Sequence, residues 1–159
     1  MQIMKAGVLA TMLAGSVSVA QAATCYRSDE IEADQAVRLQ AQIMVLSDSC
    51  HSDSYGEFRA HIGRALAAYQ QKMIGHFRRD GATARGADNA FDSFITALAN
   101  KMALTYGNEP VGSLCPRSAN FLAQAGHFSQ NDFVHYVSEQ AAANRQTYAI
   151  CKDEAAFRP

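Results

Sequence analysis

Charge is scarce in this chain. Asp, Glu, Lys and Arg make up 18% of its 159 residues, against about a quarter in an average globular protein. The signs nearly cancel, with 14 basic and 15 acidic side chains and a formal net charge of −1. Without a basic surplus there is no electrostatic grip for nucleic acid or anionic lipid, and neither is expected as a partner. The surface must therefore lean on Gln, Asn, Ser and Ala. Strand-like alternation is missing too: no run of four or more residues alternates with strand-like composition, which excludes all but a trace of sheet. Internal repeats and low-complexity tracts are absent, and repeat architectures go with them.

The usual signatures of chemistry are equally absent. Cys-x-x-Cys does not occur, which argues against a redox role for the thiols, and Cys-x-x-Cys-His, the covalent haem attachment string, comes no nearer than Cys50-His51. Noncovalent haem would draw on Met44, Met73 or Met102, but methionines at helical spacing ordinarily pack cores. The histidines are His51, His61, His76, His127 and His135. They contain no i, i+4 pair and no His-Glu-x-x-His, so no metal site is expected. Gly-x-Ser-x-Gly is missing. Ser47, Ser49, Ser52 and Ser54 crowd around His51 and Asp53, yet neighbours in one loop do not make a nucleophile, base and orienting acid. No catalytic, cofactor-binding or metal-binding residue is assigned, and no cofactor is expected.

What the chain does have is an export signature followed by four cysteines. Lys5 supplies a positive n-region, Ala6 to Ala20 are apolar and small, and Ala20-Gln21-Ala22 fits the small-x-small cleavage rule. Residues 1–22 therefore read as a signal peptide and 23–159 as a single helical domain, of ordinary length for one core. The apolar stretch is too short and too small in its side chains for a spanning helix, so no membrane span is expected in the mature form. No twin-Arg pair precedes it, which implies export of an unfolded chain. Ala22-Ala23-Thr24 lacks the residues that precede a lipidated cysteine.

Apolar spacing places the helices. Asp29 and Glu32 suggest a capping box for a first helix with Ala36, Leu39, Ile43 and Leu46 on one face, ending near Ser47. A second stripe runs Tyr55, Phe58, Ile62, Leu66, Tyr69, Met73 and Phe77. Asp88 or Asn89 can cap a third, carrying Phe91, Phe94, Ile95, Leu98, Met102 and Tyr106. Pro116 suits the first turn of a fourth helix, with Phe121, Leu122 and Ala125 before Gly126. Ser129 with Asp132 starts a fifth through Phe133, Val134 and Val137, and helices four and five can be one kinked helix. Phe157 to Pro159 reads as a free tail. The expectation is all-α: a bundle of four to five helices whose aromatic side chains fill its core.

Four cysteines allow three pairings, and an exported chain is expected to oxidise them. Cys25 and Cys50 flank the first helix, whose roughly 18 residues hold its ends about 27 Å apart, whereas a disulfide needs Cα atoms within about 7 Å. That excludes Cys25 with Cys50, and with it Cys115 with Cys151. If helices one to three run up, down and up, Cys115 arrives beside Cys50. Cys25 must then meet Cys151, which requires the last helical stretch to run back down the bundle as a whole.

The remaining polar residues have ordinary readings. Glu30, Glu32 and Asp34 crowd the first turn of helix one, where negative charge suits the dipole. Asp34 and Arg38 read as a surface pair at i, i+4. His76, one turn before Asp80, reads as a residue of the helix-two C-terminus, His61 as a boundary residue within reach of Glu57, and Asp92 as lying at the edge of its stripe.

The segment Leu39-Gln40-Ala41-Gln42-Ile43-Met44-Val45, leading to Cys50 and then Tyr55-x-x-Phe58, resembles uncharacterised small exported four-cysteine helical proteins of Gram-negative bacteria. The resemblance covers about a fifth of the chain, and it implies a helical secreted fold with no residue assigned to catalysis. With the absent chemistry, it points to a periplasmic or secreted domain that acts by binding, an envelope protein being the expected partner. An envelope-directed hydrolase and a small-ligand or metal carrier are the alternatives.

Overall fold

Burial is concentrated on the first helix. In a computed structural model, which describes residues 25–79 and 81–152, α1 (Ser28–Ser49) packs against every other α-helix. Those are α2 (Ser54–Arg79), α3 (Ala84–Gly107), α4 (Val111–Gly126) and α5 (Gln130–Asn144), followed by one 3₁₀ turn at Arg145–Thr147. The fold is the expected all-α bundle, and among the described residues one bridge joins Tyr26 to Ile150 in parallel. The segment 1–22 read as a signal peptide, Asp80 and the expected tail from Phe157 to Pro159 lie outside the described residues.

The expected stripes form the core. Val37, Leu39, Ile43 and Leu46 of α1 meet Phe58, Ile62, Leu66, Tyr69 and Met73 of α2, with Phe91 and Leu98 closing one side. On the other side Phe133 packs edge-on against Phe58 and Tyr69, with ring centroids 5.7 and 5.8 Å apart. Burying side chains of this size stabilises by about 1.5–3 kcal/mol each.

Helix starts differ from the sequence expectation at three places, at two of which another side chain takes up an orphan N–H donor. At α1 the backbone N–H of Arg27 donates to Glu30 at 2.8 Å, so the helix begins at Ser28 and Asp29 with Glu32 is not the box. At α3 the Thr83 hydroxyl, not Asp88 or Asn89, accepts from Gly86 N–H at 3.1 Å. At α4 Pro110 precedes the first turn, which places Pro116 inside the helix. At α5 the expected Ser129 and Asp132 box is present, and the two hydrogen bonds from Ser129 hold the Asp132 carboxyl below its ordinary range.

Both disulfides are the ones geometry left: Cys25 with Cys151, Cα atoms 4.8 Å apart, and Cys50 with Cys115 at 5.5 Å. The route between them differs from expectation. Helices four and five are not one kinked helix, because His127 to Ser129 separates them. Cys115 is tied to Cys50, while the Gly126 carbonyl lies 2.9 Å from His61 Nδ1. Both ends of α4 thus stay beside the α1–α2 turn, and α5 alone makes the return. At Gly126 α4 lies close to α2, since a Cβ there would stand 2.6 Å from the Glu57 carboxylate.

Candidate functional site

Because α1 is covered on most sides, several of its polar residues are buried, and they organise one end of the bundle. Glu30 is 6% exposed. Arg79, from the last turn of α2, donates to Glu30 through Nε at 3.1 Å and Nη2 at 2.6 Å. The same guanidinium reaches the Cys25 carbonyl at 2.9 Å and Cys151 Sγ at 3.3 Å, so one side chain joins α1, α2 and the staple. His76 is buried, stacked on Tyr26, with Nδ1 3.1 Å from Glu30. It occupies the last turn of α2 as expected, with its side chain packed against α1. Burial alone would raise the Glu30 carboxyl, but the Arg27 N–H, His76 and Arg79 outweigh it and hold the group below its ordinary 4.5.

One turn further on, Asp34 and Arg38 do pair, at 2.6 Å, but not on the surface, because the carboxylate of Asp34 is fully buried. Its Oδ2 also accepts from the Tyr148 hydroxyl, while its Oδ1 is buried with no hydrogen-bond partner. Burial, then the bond to Asp34, pushes the Tyr148 hydroxyl up to about 12. Gln35 Nε2 donates to Tyr148 at 2.6 Å and Asn144 reaches Gln35 at 3.3 Å, which ties the C-terminal segment to α1. These carboxylates are committed to partners within the fold. The sequence signal for their burial was weak: acidic residues in a first turn are ordinarily solvent-facing, and beside the local Arg27 and Arg38 their partners His76, Arg79 and Tyr148 lie 46 to 114 positions away.

The other end carries an open cleft of about 940 Å³, between the last turns of α1 and the first turn of α2. Met44, Val45 and Tyr55 supply its apolar wall, and Asp48, Asp53 and Glu57 line it with carboxylates. Ser47, 4% exposed, also lines it, and its Oγ has no hydrogen-bond partner. His51 holds the turn in a left-handed conformation with φ 52°, next to Cys50 and its bond to Cys115. The Ser52 N–H donates to the Ser47 carbonyl at 2.9 Å, and the Ser52 and Ser54 hydroxyls bond each other at 2.7 Å.

The serine-rich loop therefore forms no charge-relay arrangement: His51 is exposed, and the Ser52 and Ser54 hydroxyls bond each other. Met73 is core, and Met44 and Met102 are half-buried at separate positions. His61 meets Gly126 rather than Glu57, and His135 pairs with Glu139 at an exposed site on α5. Asp92 is exposed. Among the described residues no three His, Cys, Asp or Glu side chains converge as a metal would require, and no helix is long and apolar enough to cross a membrane. No family model, curated protein or solved structure matches the chain.

Proposed function

We propose that the chain is an exported, disulfide-stapled helical domain of the Gram-negative cell envelope, and that it acts by binding another envelope protein through the end of the bundle that bears the α1–α2 turn. The observation that carries this reading is a contrast between the two ends. At the Cys25–Cys151 end the charged side chains are bonded to one another and to the staple. At the Cys50–Cys115 end Asp48, Asp53 and Glu57 stand in an open cleft, on a turn tethered by a disulfide. A tethered loop loses little conformational entropy on binding, which favours recognition. The small-x-small site ending at Ala22 and the even cysteine count support export.

The test is photocrosslinking in intact cells, with the reactive residue placed at His51 and, separately, at the exposed Thr96 of α3. A discrete adduct from His51 and none from Thr96 is expected. Absence of an adduct at both positions, together with breakdown of envelope polymer by the purified protein, would replace binding by hydrolysis.

A further inference from the structure

We infer that the cleft at the α1–α2 turn receives a lysine or arginine side chain of the partner protein. This rests on the binding reading above and names the chemistry of the contact. Three features meet there. Met44, Val45 and Tyr55 offer an apolar wall of the kind that accepts the methylene stem of a long cationic side chain. Asp48, Asp53 and Glu57 offer carboxylates to its head group, and none of them forms an ion pair among the described residues. Ser47 is the independent observation: a hydroxyl more than nine-tenths buried, lining the cleft, with no partner in the fold. A buried hydroxyl without a bond is costly, and an incoming N–H donor removes that cost.

The occupant must be cationic and of side-chain size. Among the described residues His51 is the only basic group that lines the cleft, and the nearby Arg59 reaches the Tyr55 hydroxyl, at 3.5 Å. Nucleic acid and acidic peptides would meet three like charges. A bare metal ion does not suit a cleft of about 940 Å³ whose carboxylates do not converge. The backbone is also set in advance, since His51 is held at φ 52° beside the Cys50–Cys115 bond. Non-glycine residues persist in that conformation where their surroundings impose it, and such positions cluster at binding sites.

The experiment titrates the oxidised protein with a tetra-arginine peptide amide, a tetra-glutamate peptide and ethylammonium, reading backbone amide shifts. Shifts confined to residues 44–57, caused by the arginine peptide and not by the glutamate peptide, are expected. The triple variant Asp48→Asn, Asp53→Asn, Glu57→Gln should lose at least about tenfold in affinity, since each rim charge contributes modestly and the three act together. Ser47→Ala should keep or raise the melting temperature, since the unbonded hydroxyl is gone, and weaken the peptide about threefold, a loss near the low end for one hydrogen bond. Equal binding by the triple variant, shifts elsewhere, or ethylammonium binding as tightly as the peptide would overturn the inference. The photocrosslink separates the two readings. An adduct from His51 that survives in the triple variant leaves partner binding in place and removes the basic side chain. Loss of the adduct from the parent protein removes the binding reading itself.

Discussion

Glu30→Gln tests whether the buried polar end holds the bundle together. In the parent, Oε2 of Glu30 is met by the Arg27 N–H, Arg79 Nη2 and His76 Nδ1, whereas Oε1 is met by Arg79 Nε alone. The amide can therefore keep its oxygen at the Oε2 position and present its NH₂ to Arg79 Nε, so one hydrogen bond and the charge are lost. Removing one partner of a buried ion pair costs about 3–5 kcal/mol. Arg79 keeps the Cys25 carbonyl and its side chain is 24% exposed, so its released charge can hydrate. The expected loss is then about 2 kcal/mol for Glu30→Gln, and the full range of about 3–5 kcal/mol for Glu30→Ala. The sign with pH follows from the carboxyl lying below 4.5 in the folded protein. Its stabilisation is complete above the unfolded value and drains away as pH falls through the folded one. Urea unfolding of the oxidised protein from neutral pH down to about pH 3 reads both effects as midpoints at constant m-value. A Glu30→Gln protein within about 0.5 kcal/mol of the parent, or one with the parent's full acid dependence, would refute the reasoning.

Tyr148→Phe removes a donor from a carboxylate that already has one unpartnered oxygen, and should cost about 1–3 kcal/mol by thermal or urea unfolding. The parent's stability should also fall between the ordinary tyrosine value of 10.0 and about 12, because the unfolded tyrosine ionises first, and that alkaline step should shrink in the variant, Tyr26, Tyr69 and Tyr136 keeping the rest of it. Gly81→Ala should cost about 1–2 kcal/mol, since φ is +85° there, although nothing stands within 4 Å of the new methyl. Gly126→Ala is expected to be milder despite the 2.6 Å approach, because the exposed Glu57 carboxylate can swing aside; a comparison of melting temperatures ranks the two. Removing Cys25–Cys151 as a serine pair should lower stability more than removing Cys50–Cys115. The sequence separations of 126 and 65 correspond to about 5 and 4 kcal/mol in the chain-entropy account. Arg79 also loses two sulfur contacts only in the first case.

Ile31, Leu39, Ile43 and Leu46, then Phe58 to Met73, then Phe133 and Val137 were legible as core because a helix repeats every 3.6 residues whatever it packs against. The pairing of the cysteines was legible for a related reason: a rigid helix of known rise keeps Cys25 and Cys50 apart, and the order of the chain does the rest. Helix starts were less legible. The donors at a first turn accept any suitable oxygen, and Glu30 and Thr83 served where Asp29 and Asn89 also qualified on paper. The α1–α2 turn could be read as a loop rich in Ser and Asp, but not as a cleft, since its wall includes Met44 and Val45 from the preceding helix.

Local chemistry along the chain thus settled the helical class, the core stripes and the two staples, all of which depend on spacing within a helix or on the length of one. Burial of Glu30, Asp34 and His76, the crosswise path of α4 and the assembly of the cleft were settled by packing. Periodicity says which side chains share a face. It does not say how many neighbours will cover the helix. Once α1 was enclosed, its acidic residues could no longer face water, and beside the local Arg27 and Arg38 they drew on partners distant in the chain, Arg79 and Tyr148.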